Sequence, residues 1–339
     1  MTKPRPHHTA LAILFCICAG LGWSLPAAAQ GANTNFTSPP DWPHSLIVST
    51  ASPGGTYYVY GEALAKALSA ELGLMVSSQP TQGADQNIIL LEQGQAGIGF
   101  VTMGVALQAW TGNGAWTRGQ KFRAMRAIFP MYDTPFHIVV LKGGPQSLDD
   151  MMGKRVGVGP RGGTGGTYLP DVFKALNVQV TIANGAYADQ GTQLRERILD
   201  VLTGAAGAPF PMIAEIEKQA PIDFVNLTPA QIETLHKAMP ELSASIVPAR
   251  TYTSLKGDYH TVGLYNFAVV NKALPEDLVY AIVKATFTNH DRLVAAHPAA
   301  AETVPANVSR NSFLPFHRGA VRYYREIGVQ IPDALTMTD

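Results

Sequence analysis

Residues Val156 to Phe173 read VGVGPRGGTGGTYLPDVF, and the reading of the whole chain turns on them. Val156 and Val158 suit a buried strand. Five glycines follow between Gly159 and Gly166, and the pattern predicts a helix from about Thr167. Glycine at that density lets backbone come close to a ligand and turn N–H groups toward it. A helix start adds unpaired first-turn amides and the positive end of the helix dipole. Strand, glycine loop and helix start together make a docking place for a carboxylate or a phosphate.

Other readings of the loop compete with this one. Gly157, Gly159 and Gly162 match the spacing of a dinucleotide fingerprint. Pro160 and Arg161 interrupt that turn, however, and the next strand-like run, Val178 to Ala183, ends at Asn184 with no acid to take a ribose. A P-loop fails because no lysine follows the last glycine. A purely structural turn stays open. The carboxylate cradle gains from a second loop of the same kind, Ser52-Pro53-Gly54-Gly55-Thr56, again between a strand (Leu46 to Ser49) and a helix. Two such loops predict two lobes that face one cleft.

The 339 residues begin with Lys3 and Arg5, an apolar run from Ala10 to Leu25, and Pro26-Ala27-Ala28-Ala29. That is the pattern of a secretory signal peptide over residues 1–29, cleaved before Gln30, and it predicts a periplasmic address. Both cysteines, Cys16 and Cys18, fall inside it, so the remaining chain has no thiol for catalysis, metal or disulfide. Beyond residue 29 the charge is 23 basic against 25 acidic residues, a net −2. No basic run marks a nucleic-acid or anionic-membrane surface. Residues 30–43 are polar and proline-bearing and read as a linker.

Further along, Ala63, Leu64, Ala67, Leu68 and Leu72 recur at helical spacing before Gly73. Leu74 to Ser78 reads as a strand, Ile88 to Gln93 as a helix, Ala96 to Thr102 as a buried strand and Met103 to Trp110 as a short helix. This alternation predicts parallel α/β units. A strand over Phe136 to Leu141 leads into Lys142-Gly143-Gly144-Pro145, where a domain crossing is expected. Strands are predicted over Val178 to Ile182 and Thr261 to Val270, and a helix over Gln190 to Leu202. Thr228, Pro229 and Gln231 mark a capped helix start. The segment from Pro275 is helical and too apolar to stand in water.

Several collinear stretches resemble the TAXI family, solute-binding subunits of tripartite ATP-independent periplasmic (TRAP) transporters. They are ASPGGTYYVYGEALAKAL (51–68), TQGADQNIILLEQGQAGIGFV (81–101), LDDMMGKRVGVGPRGGTGGTY (148–168), VGLYNFAVVNKALPEDLVYAIVKA (262–285) and LPFHRGAVRYYREIG (314–328). The resemblance implies an α/β, two-lobed type II periplasmic-binding-protein fold with a central ligand cleft and two hinge crossings. Lobe 1 would comprise residues 44–141 and 249–339, and lobe 2 residues 142–248. It further implies a small organic acid or amino acid ligand, of the glutamate, glutamine or 2-oxoglutarate kind, and a membrane permease driven by an ion gradient. The chain departs from the family pattern at Asp85, where a small polar residue is usual, and at Asp200-Val201, where Asp-Ala is usual.

On the first loop the candidate contacts are Gly55, Thr56 and Tyr57, with Gln82 and Asn87 beside the next helix start. Thr102 and Met103 follow a buried strand at its carboxyl end, where open α/β sheets place ligands. On the central loop they are Arg161, Gly163, Thr164, Gly165, Gly166 and Thr167; an arginine fork suits a carboxylate. Pro209 and Phe210 are candidate walls, and Tyr187 and Tyr265 are further wall candidates. Thr56 as a simple cap, and Met103 as core, are the plain alternatives. The nine histidines show no metal-ligand spacing and no nucleophile-elbow serine occurs, so no cofactor or metal is expected. A periplasmic enzyme on the same scaffold, or a ligand-dependent partner of a sensor kinase, are the rival functions.

Overall fold

The computed structural model describes residue 39 and residues 41–336. The expected signal peptide and ten of the fourteen residues of the expected linker lie outside the described residues.

The first glycine loop joins β1 (Ser45–Ser49) to α1 (Thr56–Leu72), and the αL conformation of Gly73 ends that helix as predicted. β2 (Met75–Gln79), α2 (Ala84–Glu92), β3 (Ile98–Thr102) and α3 (Met103–Thr111) complete the first run of units. The long β4 (Met125–Leu141) follows. Next come β5 (Arg155–Gly157), α4 (Thr164–Ala175), β6 (Thr181–Ala183), α5 (Tyr187–Arg195), β7 (Val201–Ala205) and α6 (Pro211–Gln219). β8 (Ile222–Phe224), α7 (Pro229–Ala238), β9 (Ser243–Val247) and β10 (Tyr259–Asn271) return the chain, and α8 (Glu276–Thr288), α9 (His290–Ala296) and α10 (Arg318–Glu326) close it.

The strands run in the order β2-β1-β3-β10-β4-β7-β5-β6, with β8 beside β4 and β9 beside β10. Within each end of that order the strands are parallel: β1 with β2 and β3, β5 with β6 and β7. β10 is antiparallel to β3 and β4 and joins the ends through β4. This is the mixed α/β arrangement of the type II periplasmic-binding-protein fold, with helices covering a central sheet.

β4 changes partners part-way along. Residues up to Pro135 pair with β10, and Phe136 to Val139 pair with β7. The changeover falls at a residue without an N–H to donate. Sequence reading sees only the last part of this strand, because Pro130 and Pro135 look like breakers. The pairing with β10 shifts register between Tyr265 and Phe267, opposite the segment from Pro130 to Asp133, and such an irregularity lets proline sit within a sheet.

Other boundaries also move. α4 begins at Thr164 rather than Thr167, so Gly165 and Gly166 are helical. A Cβ on Gly166 would lie 2.2 Å from the Pro160 carbonyl, so glycine here serves close packing of loop on helix. α2 begins at Ala84, four residues before the expected start. The helix expected over 190–202 is α5, which ends at Arg195; Arg197 then takes φ 58° and Leu202 belongs to β7. The Thr228–Gln231 capping box forms as read.

In α8, Leu278, Val279, Ile282 and Val283 are fully buried, which explains why so apolar a helix packs back on the fold. Full burial of each such side chain contributes roughly 1.5–3 kcal/mol. Beyond it the chain straps the start of β4: the Ala127 amide donates to the Pro315 carbonyl at 2.9 Å, and the His317 amide to the Ala127 carbonyl at 2.9 Å.

Candidate ligand site between two glycine loops

Each glycine loop delivers a helix whose N-cap is itself a glycine, Gly55 for α1 and Gly163 for α4. Neither cap has a side chain to bond the first-turn amides, which have no partner within the helix. α1 and α4 therefore present bare N-terminal dipole ends, the arrangement that favours an anion.

Each loop is tied to the opposite end of the sheet by one of a reciprocal pair of backbone bonds. The Gly54 carbonyl accepts from the amide of Met212, the second residue of α6, at 3.1 Å. The Gly162 carbonyl accepts from the amide of Asp85, the second residue of α2, at 3.2 Å. So each loop gives a carbonyl to a helix start that belongs to the other end of the sheet. Three side-chain bonds repeat the crossing: Gly162 N–H to Gln82 Oε1 at 3.1 Å, Thr56 Oγ1 to the Gly207 carbonyl at 2.7 Å, and Thr102 Oγ1 with Thr164 Oγ1 at 3.1 Å.

Between the loops lies a cavity of about 30 Å³, bounded by Thr56, Tyr57, Thr102, Thr134, Thr164 and Tyr187, among others. No charged side chain lines it. The space suits about one water molecule, so a larger guest enters only as the loops part. Clefts of about 580 and 660 Å³ lie elsewhere on the surface, but neither is bounded by the two glycine loops. The floor is stiff. Tyr57 Oη donates to Asn266 Oδ1 at 2.5 Å, and the Asn266 amide group donates to the Tyr132 carbonyl and to Thr134 Oγ1. Burial pushes the Tyr57 phenol well above its ordinary range and the Tyr187 phenol up to about 12, so both are neutral hydroxyl groups here.

The pattern of the NMT1-like family matches residues 48–328, a span that holds both glycine loops and every residue of the cavity wall. The chain belongs to the NMT1-like family. Among solved structures, this NMT1-like protein is similar to an ancestral arginine-binding protein bound to arginine, with 18% identity, TM-score 0.48, and coverage of 75% of this chain and 97% of that one. It is similar also to an amino acid ABC transporter substrate-binding protein from Streptococcus pneumoniae bound to L-arginine (14%, 0.45, 76% and 97%). The GluR0 ligand-binding core from Nostoc punctiforme in complex with L-glutamate is a third (14%, 0.46, 74% and 97%). All three TM-scores lie below 0.5, so the ligands of those proteins say nothing of this one's.

In this NMT1-like chain the expected contacts divide into two groups. Gly55, Thr56, Tyr57, Gln82, Thr102, Gly163 and Thr164 border the cavity. The others do not. Asn87 is fully buried and ties the Thr50 and Phe100 carbonyls to Thr81 Oγ1. Met103 is core, and Arg161 points to solvent. Gly165 and Gly166 pack against the loop carbonyls of Val158 and Pro160. Thr167 bonds Asp85 across the loops. Phe210 packs edge-on against Tyr187 behind the wall, and the Pro209 carbonyl bonds His297. Sequence reading missed Thr134, Ala205 and Ala206 as wall residues; they come from β4 and the end of β7, and no local signature marks them.

Among the described residues no group of three or more His, Cys, Asp or Glu is placed to hold a metal ion. No described helix is long and apolar enough to cross a membrane.

Proposed function

We propose that this NMT1-like protein is an extracytoplasmic solute-binding protein that closes two lobes over one small carboxylate-bearing solute. The observation that carries the proposal is the cavity enclosed by two uncapped helix starts, from two separate loops, with no charged side chain in its wall. Such a wall suits an anion held by backbone amides and hydroxyls. It offers no paired acid and base for turnover. The lobes of the proposal are residues 44–141 with 249–339, and residues 142–248; the change of partner inside β4 favours a first crossing at Pro135/Phe136 over one at 141/142.

Closure follows from differential contact: a ligand touching both loops stabilises the form in which they meet. The TAXI resemblance of the stretches around both loops supports glutamate, glutamine or 2-oxoglutarate-like solutes and a TRAP permease as the recipient. A thermal-shift panel of amino acids, dicarboxylates and keto acids tests the reading. A true ligand at 100 times its dissociation constant adds roughly 2.7 kcal/mol of stability. A panel in which no carboxylate raises the melting temperature, repeated by calorimetry with the same outcome, overturns it.

A further inference from the structure

We infer that the contact between Asp85 and Thr167 is a proton-operated catch, which holds the start of α2 against the central glycine loop and α4 while Asp85 is neutral and lets them part when it is charged. The inference rests on the lobe closure proposed above and adds a control to it.

Asp85 lies in the first turn of α2, after the Thr81-Gln82-Gly83 turn, and is only 4% exposed. Thr167 lies in the first turn of α4, just past the central glycine loop. Thr167 Oγ1 stands 3.1 and 2.9 Å from the two carboxyl oxygens of Asp85 and 3.1 Å from the Gly163 carbonyl. A hydroxyl carries one proton. An ionised Asp85 therefore receives at most one bond from Thr167, and Gly163 competes for it. A neutral Asp85 supplies the missing proton: its own O–H donates to Thr167 Oγ1, and Thr167 donates to the Gly163 carbonyl. Two of the three short contacts are then bonds, and the start of α4 is tied both to Asp85 and to its own loop.

Among the described residues no positive side chain compensates Asp85. From α4 it faces Tyr168, whose phenol is already bonded to Glu241 Oε1 at 2.9 Å, with Gln108 of α3 beside that phenol. Arg161, the cation of the facing loop, is exposed and makes no bond to Asp85. The amide of Asp85 and the start of its helix favour the charged form, as does the Thr167 hydroxyl, but burial outweighs them and lifts the carboxyl to about 7. Asp85 does not border the cavity, so its proton governs the loops and not the guest directly.

When the loops part, water returns to Asp85 and its carboxyl falls back toward the ordinary value of about 3.9. Closing thus takes up a proton between about pH 4 and 7. The sign follows: the closed form gains as pH falls through 7, by up to about tenfold in closed-to-open ratio per pH unit in that window.

The test uses the full chain with Cys16 and Cys18 changed to Ser and a labelling pair, Lys66→Cys on α1 and Glu196→Cys after α5, both at exposed positions. Spin labels there report the separation of α1 from the end of α5 by double electron–electron resonance at pH 8.0 and 5.5, with no ligand added. In the parent the short-distance population, relative to the long, should rise at least about tenfold on acidification. Asp85→Asn, neutral at both pH values and still able to donate to Thr167, should favour the short distance at both and lose the shift; Asp85→Ser should also lose it. A parent ratio unchanged between the two pH values, or variants that shift as the parent does, overturns the catch. Adding the carboxylate panel at fixed pH separates the two ideas. If solutes shorten the distance while pH does not, the catch alone falls; if neither does, the closure reading falls with it.

Discussion

A Cβ placed on Gly83 would lie 2.8 Å from the Cα of Gly163, and Gly83 itself has φ 133°. Glycine at 83, the N-cap of α2, is therefore what allows that helix start to touch the central glycine loop. The Gly83→Ala variant meets both a strained backbone, at about 1–3 kcal/mol, and the facing main chain. Binding of the best solute from the panel should weaken at least about tenfold, about 1.4 kcal/mol, as read by calorimetry. Parental affinity in that variant would show that the start of α2 and the central loop need not meet for binding.

Thr164 borders the cavity and bonds Thr102 across it. Thr164→Leu fills a space sized for about one water and removes the hydroxyl. Overpacking of this kind costs about 1–3 kcal/mol, which a chain of this size tolerates. We expect binding to be lost in calorimetry while far-ultraviolet circular dichroism is unchanged. Retained binding would mean that the solute sits elsewhere.

Asn266 joins three partners beneath the site: Tyr57, Tyr132 and Thr134. Asn266→Leu leaves those groups buried without it, at about 1–3 kcal/mol for each that finds no other partner. Urea unfolding should show a loss of at least about 2 kcal/mol. Tyr57→Phe removes one bond of the three and should lose less. The reverse ranking would place the anchor in the tyrosine ring and not in the amide.

His137 is fully buried, with Nε2 2.8 Å from Tyr252 Oη, and burial lowers it to about 3. Burial lowers His317, to about 4, and His297 in the same way. The unfolded chain binds these protons near pH 6.5, so the stability they contribute is complete above that value and drains as pH falls toward 3. Asp85 works in the opposite sense over its own window. His137→Asn should therefore lose less stability than the parent between pH 7 and 5, by about 2 kcal/mol in urea melts. Equal losses would show that His137 is not the group that protonates on unfolding.

Much of the layout was readable from local pattern. The stripe of Ala63, Leu64, Ala67, Leu68 and Leu72 and the stop at Gly73 place α1, and Thr228 with Gln231 places the start of α7. These features act within a turn or two of helix, so sequence displays them. The site was readable only in part. Gly55, Thr56 and Thr164 sit beside a visible glycine signal; Thr134 and Ala205 reach the cavity through strand order, which no local pattern encodes. Arg161 misled for a related reason: its charge suits a carboxylate, but the loop turns it outward. Pro130 and Pro135 hid most of β4, because a register shift that accommodates proline belongs to the partner strand as much as to β4.

The placement of β10 has a consequence for how the chain comes to be folded. This strand fills the gap between β3 and β4, although about 120 residues separate it from β4 along the chain. Until residue 271 has been synthesised, two parallel blocks stand with unsatisfied strand edges and no member to join them. Acquisition of native structure must wait for the last third of the polypeptide, and distant pairing of this kind is slow. A truncated chain ending at Pro248 should show no cooperative melt, whereas a molecule assembled block by block would show one.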